Sequence, residues 1–225
     1  MNDLSRLEDK LGVEFKDKNL LKQALIHRSW LNENPDSVLE NNERLEFLGD
    51  AVLELAVTEY MYKKYPNPEG EMTNWRAALV NYINLSEVAG KLGLNDFLLL
   101  SKGESKDTGR ARQVILANTM EAVIGAMYLD QGYAVSAKFI EKNIISDLEN
   151  VIKNKLYKDA KSLFQERSQE KTGITPVYKV LSESGPDHDK IFEVGVYLGE
   201  KLAGTGSGPS KQDAEQKAAE DALSK

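Results

Sequence analysis

Between Asn42 and Tyr60 the chain reads NERLEFLGDAVLELAVTEY, and no other stretch limits its possible folds so strongly. Leu45, Phe47, Leu48, Ala51, Val52, Leu53, Leu55, Ala56 and Val57 nearly encircle a helix, the pattern of a helix set inside a core. Glu43, Glu46, Asp50 and Glu54 fall at i, i+3, i+7 and i+11, and at about 100° per residue they share one narrow stripe. Partly desolvated carboxylates in such a row must be protonated, paired with a cation or bound to a metal. Arg44 is the only basic residue within the stretch. The stripe therefore reads either as a solvated acidic edge or as a site for a hard divalent cation, and the apolar setting favours the cation.

A second apolar helix is predicted over 114–133, VILANTMEAVIGAMYLDQGY, in which Asn118 and Glu121 at i, i+3 project together. A length of 225 residues, with 41% apolar and 29% charged residues, belongs to a soluble globular chain of one large or two small domains. The absence of cysteine excludes disulfides and thiolate metal sites, and two histidines leave little room for zinc. No run approaches the roughly 18 apolar residues of a membrane span, and MNDLSRLEDKLG has no apolar leader, so a cytoplasmic protein without membrane contact is expected. The net charge of −7 runs against nucleic-acid binding, whose domains often have a pI above about 9. Phosphate contacts need only a local patch, however, and an acidic site itself lowers the sum, so charge leaves the question open.

Ahead of the central stretch, Leu4, Leu7 and Leu11 predict a short helix closed by Gly12, and Leu20 to Ile26 a second one. His27, beside Trp30, reads as a hydrogen-bonding structural residue rather than a ligand. Beyond Pro66 and Pro68, Glu71 opens a predicted helix carrying Met72, Trp75, Ala78, Leu79 and Ile83; an acid there suits the helix dipole whatever else it does. The loop SKGESKDTGRARQ, 101–113, reads as a solvated connector or a phosphate contact. A continuous helix is predicted from Ala134 to about Lys155. Near Tyr157 the pattern changes: a helix over 159–171, strands over 176–184, 191–198 and 201–207, and a helix over 210–223 whose Ala214, Ala218, Ala219 and Ala222 can lie close to a sheet.

NERLEFLGDAV resembles the signature of the ribonuclease III family, and the α-β-β-β-α order ending in GTGSGPSKQDAEQKAA looks like a double-stranded-RNA-binding domain. The implied fold is an all-α endonuclease domain over 1–157 followed by a small α+β domain over 158–225. The resemblance implies an endoribonuclease that hydrolyses double-stranded RNA, such as ribosomal and other structured precursors, by divalent-metal-activated water, and leaves two-nucleotide 3′ overhangs. It gives Mg²⁺, with Mn²⁺ as substitute, to Glu46, Asp50, Asn118 and Glu121, and puts Glu43 and Glu71 in supporting catalytic roles. Asn118 departs from the aspartate usual there, which lowers the negative charge offered to the ion. RNA contacts by similarity are Ser162, Gln165, Glu166, Pro186, His188, Ser210 and Lys211, with Gln212 where a second basic residue is typical. Family enzymes are homodimers, and Phe47 matches their interface aromatic; from sequence alone an ordinary core phenylalanine remains the other reading. The rival functions are a duplex-RNA-binding protein whose cleavage is impaired by Asn118, and a small-molecule phosphohydrolase with an appended domain.

Overall fold

The computed structural model describes residues 3–186 and 189–225. The chain falls into two compact units, Met1–Tyr157 and Lys158–Lys225.

The first unit is helical: α1 (Leu4–Leu11), α2 (Lys18–Ala24), α3 (Arg28–Glu33), α4 (Glu43–Lys64), α5 (Glu69–Leu79), α6 (Tyr82–Lys91), α7 (Arg110–Gln131), α8 (Tyr133–Asn143) and α9 (Leu148–Lys153), with short 3₁₀ turns between. Its core is built where α4 crosses α7: Leu53, Ala56 and Val57 meet a helix on which Met120, Val123, Ile124 and Met127 are fully buried. The two backbones touch at glycine. A Cβ on Gly49 would overlap the carbonyl oxygen of Glu121, and one on Gly125 would overlap that of Leu45. That close approach sets residues 46 and 50 of α4 beside residues 118 and 121 of α7.

Asn42 anchors the start of α4: its side chain is buried, and its Nδ2 donates to the Ala24 carbonyl at 3.2 Å. Glu43 and Glu46 then occupy the first turn and Lys63 and Lys64 the last, as the helix dipole favours. Pro66 and Pro68 follow, and the chain leaves the helix at Tyr65.

Four expectations need correction. The apolar ring of α4 is not buried all round, since Phe47 is 82% and Leu55 57% exposed. The helix after Pro68 begins at Glu69, so Glu71 is not its first residue, and it stops at Leu79; Asn81 caps α6 by accepting from Asn84 N, which puts Ile83 on a different helix. The predicted 114–133 helix starts at Arg110, where the guanidinium of Arg112 donates to the carbonyls of Glu104, Ser105 and Asp107 and so holds the preceding loop to the helix. The long helix after Ala134 breaks at Ile144, whose fully buried side chain turns into the core before a 3₁₀ turn and α9.

The second unit is α10 (Ala160–Thr172), an antiparallel sheet of β1 (Val177–Ser184), β2 (Ile191–Leu198) and β3 (Lys201–Gly208) in that spatial order, and α11 (Lys211–Leu223). Phe164, Val194, Val196, Ala214, Ala218 and Ala219 form its core. The GTGSG of β3 has a packing reason. Cβ atoms on Gly204 and Gly206 would strike the α11 backbone at Ala218 and Ala214, so the missing side chains let the alanine face lie directly on the strand.

Candidate active site

Glu46, Asp50, Asn118 and Glu121 come together where α4 and α7 cross. Burial first, and then the like charges of Asp50, Glu46 and Glu54, push the Glu121 carboxyl up to about 7. Burial, followed by the charge of Glu43, also raises Glu46; Asp50 adds to this, while a hydrogen bond from the Asn118 side chain opposes it. Asn118 thus lies inside the group, its amide donating to Glu46. Glu43, more exposed, flanks the group and lies 3.7 Å from the guanidinium of Arg28.

Glu71 does not join them. Its carboxylate accepts from Asn67 Nδ2 at 2.9 Å on the exposed side of α5, and it is not among the charges acting on Glu46 or Glu121. Glu54, which the resemblance leaves without a role, does act on Glu121, and it is balanced by Arg76 at 2.8 Å. The stripe at i, i+3, i+7, i+11 already contained Glu54; its cation lies 22 positions away and no local pattern shows it.

The donor set is all oxygen; burial first, and then repulsion among the carboxylates, holds two of them above their ordinary range, a cost that a hard divalent cation relieves. Among the described residues no three carboxylate or histidine groups already converge as metal ligands do. The chemistry of the donors fits such an ion.

Two further surfaces bear on function. On α4 the exposed residues Phe47, Ala51, Leu55 and Tyr62 make an apolar stripe beside the acidic one, and next to Phe47 a groove of about 670 Å³ runs between Leu20, Gln23, Arg44, Leu48 and Leu129. Phe47 is therefore no core residue.

In the second unit Ser210 and Lys211 lie at the start of α11, and single contacts bring the end of β1 and the start of α10 to that helix. Ser210 caps that helix, its Oγ accepting from Asp213 N at 3.1 Å. Lys211 lies 3.3 Å from Glu183 at the end of β1 and over the Phe192 ring. Two residues further along the chain from Glu183, Gly185 at φ +89° begins the β1–β2 connection, in which the Pro186 carbonyl accepts from Asp189 N. On the other side, Glu215 meets Lys161 at 2.5 Å, and the Gln216 side chain accepts from Ala160 N, which sets the start of α10 beside α11. Ser162 and Gln165 are exposed there, and Glu166 lies 2.6 Å from Lys158. His188 lies outside the described residues.

Residues 17–148 match the family model for ribonuclease-III-like domains, and residues 160–225 match that for the double-stranded RNA binding motif. Ribonuclease 3 of Natranaerobius thermophilus is 47% identical over 224 residues, covering 99% of this chain and 96% of that protein. Ribonuclease 3 of Protochlamydia amoebophila is 44% identical, over 97% of this chain and 90% of that one. A solved structure of the nuclease domain of ribonuclease III from Campylobacter jejuni, which shows flexibility in a region involved in dimer formation, is 43% identical; the match covers 63% of this chain and 98% of that one with a TM-score of 0.56. An acid-lined helix crossing followed by an RNA-binding fold, and relatives that share nearly half their residues with it from end to end, place the chain in the ribonuclease III family.

Proposed function

We propose that the chain is a double-strand-specific endoribonuclease whose reaction centre is the α4–α7 crossing, with Glu46, Asp50, Glu121 and the Asn118 side-chain oxygen holding Mg²⁺ or Mn²⁺. The observation that carries this is the Glu121 carboxyl, pushed up to about 7 first by burial and then by the charges of Asp50, Glu46 and Glu54. When bound, such an ion polarises a phosphoryl oxygen and lowers the pKa of the attacking water. The chain's own part is placement. Gly49 and Gly125 bring the acids of two helices within reach of one phosphate, the buried Asn42 fixes the start of α4, and the amide of Asn118 keeps Glu46 turned inward. No side-chain nucleophile is needed. Glu43 flanks the centre, and Glu71 lies outside it in a single chain, where a supporting role requires a second subunit.

The second unit supplies the substrate. Its module reads A-form shape through minor-groove hydroxyls and phosphates, which accounts for preference for duplex without preference for sequence. We assign RNA contact to Ser162, Gln165 and Glu166 of α10, to Pro186 and, from its place in the sequence alone, His188, and to Ser210 with Lys211. The α11 N-terminus, with Ser210 as cap, suits a phosphate. The exposed Phe47 stripe and its adjoining groove are assigned to a second copy, so that a homodimer presents two centres to the two strands and leaves two-nucleotide 3′ overhangs. Processing of ribosomal precursors in the cytoplasm is the corresponding cellular role. Among the described residues no helix is long and apolar enough to cross a membrane.

Incubation with a long duplex RNA across Mg²⁺ and Mn²⁺ titrations tests the proposal. Short duplexes with two-nucleotide 3′ overhangs are expected. Binding without cleavage at any metal concentration would return the protein to the binding-only reading.

A further inference from the structure

Glu54 lies one helical turn beyond Asp50, where the ribonuclease III pattern assigns it nothing. Its carboxylate meets Arg76 Nε at 2.8 Å, and Arg76 Nη1 donates to Thr58 Oγ1 at 2.7 Å. One guanidinium rooted on α5 thus straps two successive turns of α4. Both side chains are about two-thirds buried, at 36% and 32% exposure, so their charges are only partly screened. Glu54 reaches Glu121 as a like charge in the same sense as Asp50 and Glu46. Across the same centre, Asn118 offers an oxygen without a charge.

We propose that Glu54 supplies the negative charge that Asn118 lacks, acting on a bound divalent cation as a positioning charge rather than as a ligand, and that Arg76 sets how much of that charge the centre feels. The inference rests on the reading of Glu46, Asp50 and Glu121 as the cation-holding acids. A carboxylate one turn away acts through space, and in a half-buried site its removal changes cation affinity by about threefold to tenfold. Arg76 offsets part of this field while it stays bound to Glu54. The two residues therefore act on the cation with opposite signs. A strap that merely joins α4 to α5 has no such property, because cutting it from either end loosens the same contact.

The experiment is calorimetric titration of Mn²⁺ into the full-length protein without RNA, with thermal melts of the same samples and the Mn²⁺ concentration for half-maximal duplex cleavage. The variants are Glu54→Gln, Arg76→Gln, Asn118→Asp, the pair Glu54→Gln with Asn118→Asp, and Asp50→Asn as a control. Glu54→Gln should weaken Mn²⁺ binding by about threefold to tenfold, Arg76→Gln should tighten it, and restoring the acid at 118 should shrink the effect of Glu54→Gln. Unchanged affinity in Glu54→Gln, or weakening by both single variants with parallel loss of melting temperature, would leave the pair a structural strap and overturn the inference. If Asp50→Asn binds Mn²⁺ as the parent does, the cation site itself is misplaced. If Asp50→Asn abolishes binding while Glu54→Gln changes nothing, only the role of Glu54 fails.

Discussion

Replacing Glu121 with glutamine should make the metal-free protein more stable and less active, and the pH dependence separates the causes. The folded protein holds the Glu121 proton up to about 7, whereas an exposed glutamate releases it near 4.5. Between these values the native state binds more protons than the unfolded one, so stability falls as pH rises. The contribution of protonated Glu121 is intact below about 4.5 and is lost as the pH climbs through about 7. At about 1.4 kcal/mol per tenfold, a carboxyl displaced this far costs at most about 3.5 kcal/mol to ionise in place. Glu121 is only partly buried, and solvent screening reduces that to about 1–2 kcal/mol. Glutamine removes the repulsion at every pH. For a unit of this size about 2–4 °C accompanies each kcal/mol, so near pH 8 in chelator the variant should melt roughly 2–8 °C above the parent. Near pH 4.5 the two should melt together. Divalent metal should close the gap by stabilising the parent more. Circular-dichroism melts across pH, with duplex cleavage and gel shifts on the same preparations, provide the assay. Glu121→Gln is expected to lose cleavage by about a hundredfold or more while binding duplex as before. A variant that melts at or below the parent near pH 8 would refute the electrostatic argument, and cleavage within twofold would remove Glu121 from the centre.

Gly49→Ala forces α4 and α7 apart at the Glu121 carbonyl, which should cost about 1–3 kcal/mol in denaturant unfolding and lower cleavage about a hundredfold if the acids move by roughly 1 Å. Normal stability in this variant would mean that the helices tolerate a wider crossing. Phe47→Ser removes an exposed side chain with little to lose inside the unit, and sedimentation velocity should show the dimer shifted toward monomer; an unchanged distribution places Phe47 outside the interface. Glu183→Gln releases Lys211 from its partner 3.3 Å away, so filter binding in chelator should show duplex affinity rising by about twofold to fivefold. Lys211→Ala should weaken binding and reduce the slope of log K against log salt by about one, and an unchanged slope would exclude a phosphate contact there.

The elements that the sequence shows clearly are those fixed by local chemistry. The three strands and the two helices of the second unit were legible from the change of pattern after Tyr157 and from the alanine face of α11, and the structure adds that Asp159 and Ser210 cap the two helices. The breaks at Asn81 and Ile144 were not: each is decided by where a side chain is anchored, Asn84 Nδ2 on the Leu79 carbonyl in one case and Ile144 in the core in the other. The same distinction holds at the site. Spacing shows that Glu46 and Asp50 share one stripe and that Asn118 and Glu121 project together, whereas the joining of the two helices into one site was legible only through the family resemblance. The Arg76 that balances Glu54, the carbonyls that occupy Arg112 and the Glu183 that meets Lys211 all arrive from elsewhere in the chain.

Helix α4 shows why the strongest sequence signal also misled. One face, with Leu45, Val52, Leu53 and Ala56, is buried against the core; a second carries Glu43, Glu46, Asp50 and Glu54; a third, with Phe47, Ala51, Leu55 and Tyr62, is apolar yet open to solvent. A helix that is apolar on two of three faces reads as one buried all round, because composition cannot tell a core from a surface that a second molecule completes. Glu46 and Phe47 are neighbours in sequence and point to different faces, so a partner seated on the apolar stripe lies beside the acidic one. If a second copy seats there, as proposed above, its pairing would change the solvent exposure of the carboxylates and so couple assembly of two chains to the electrostatics of each centre.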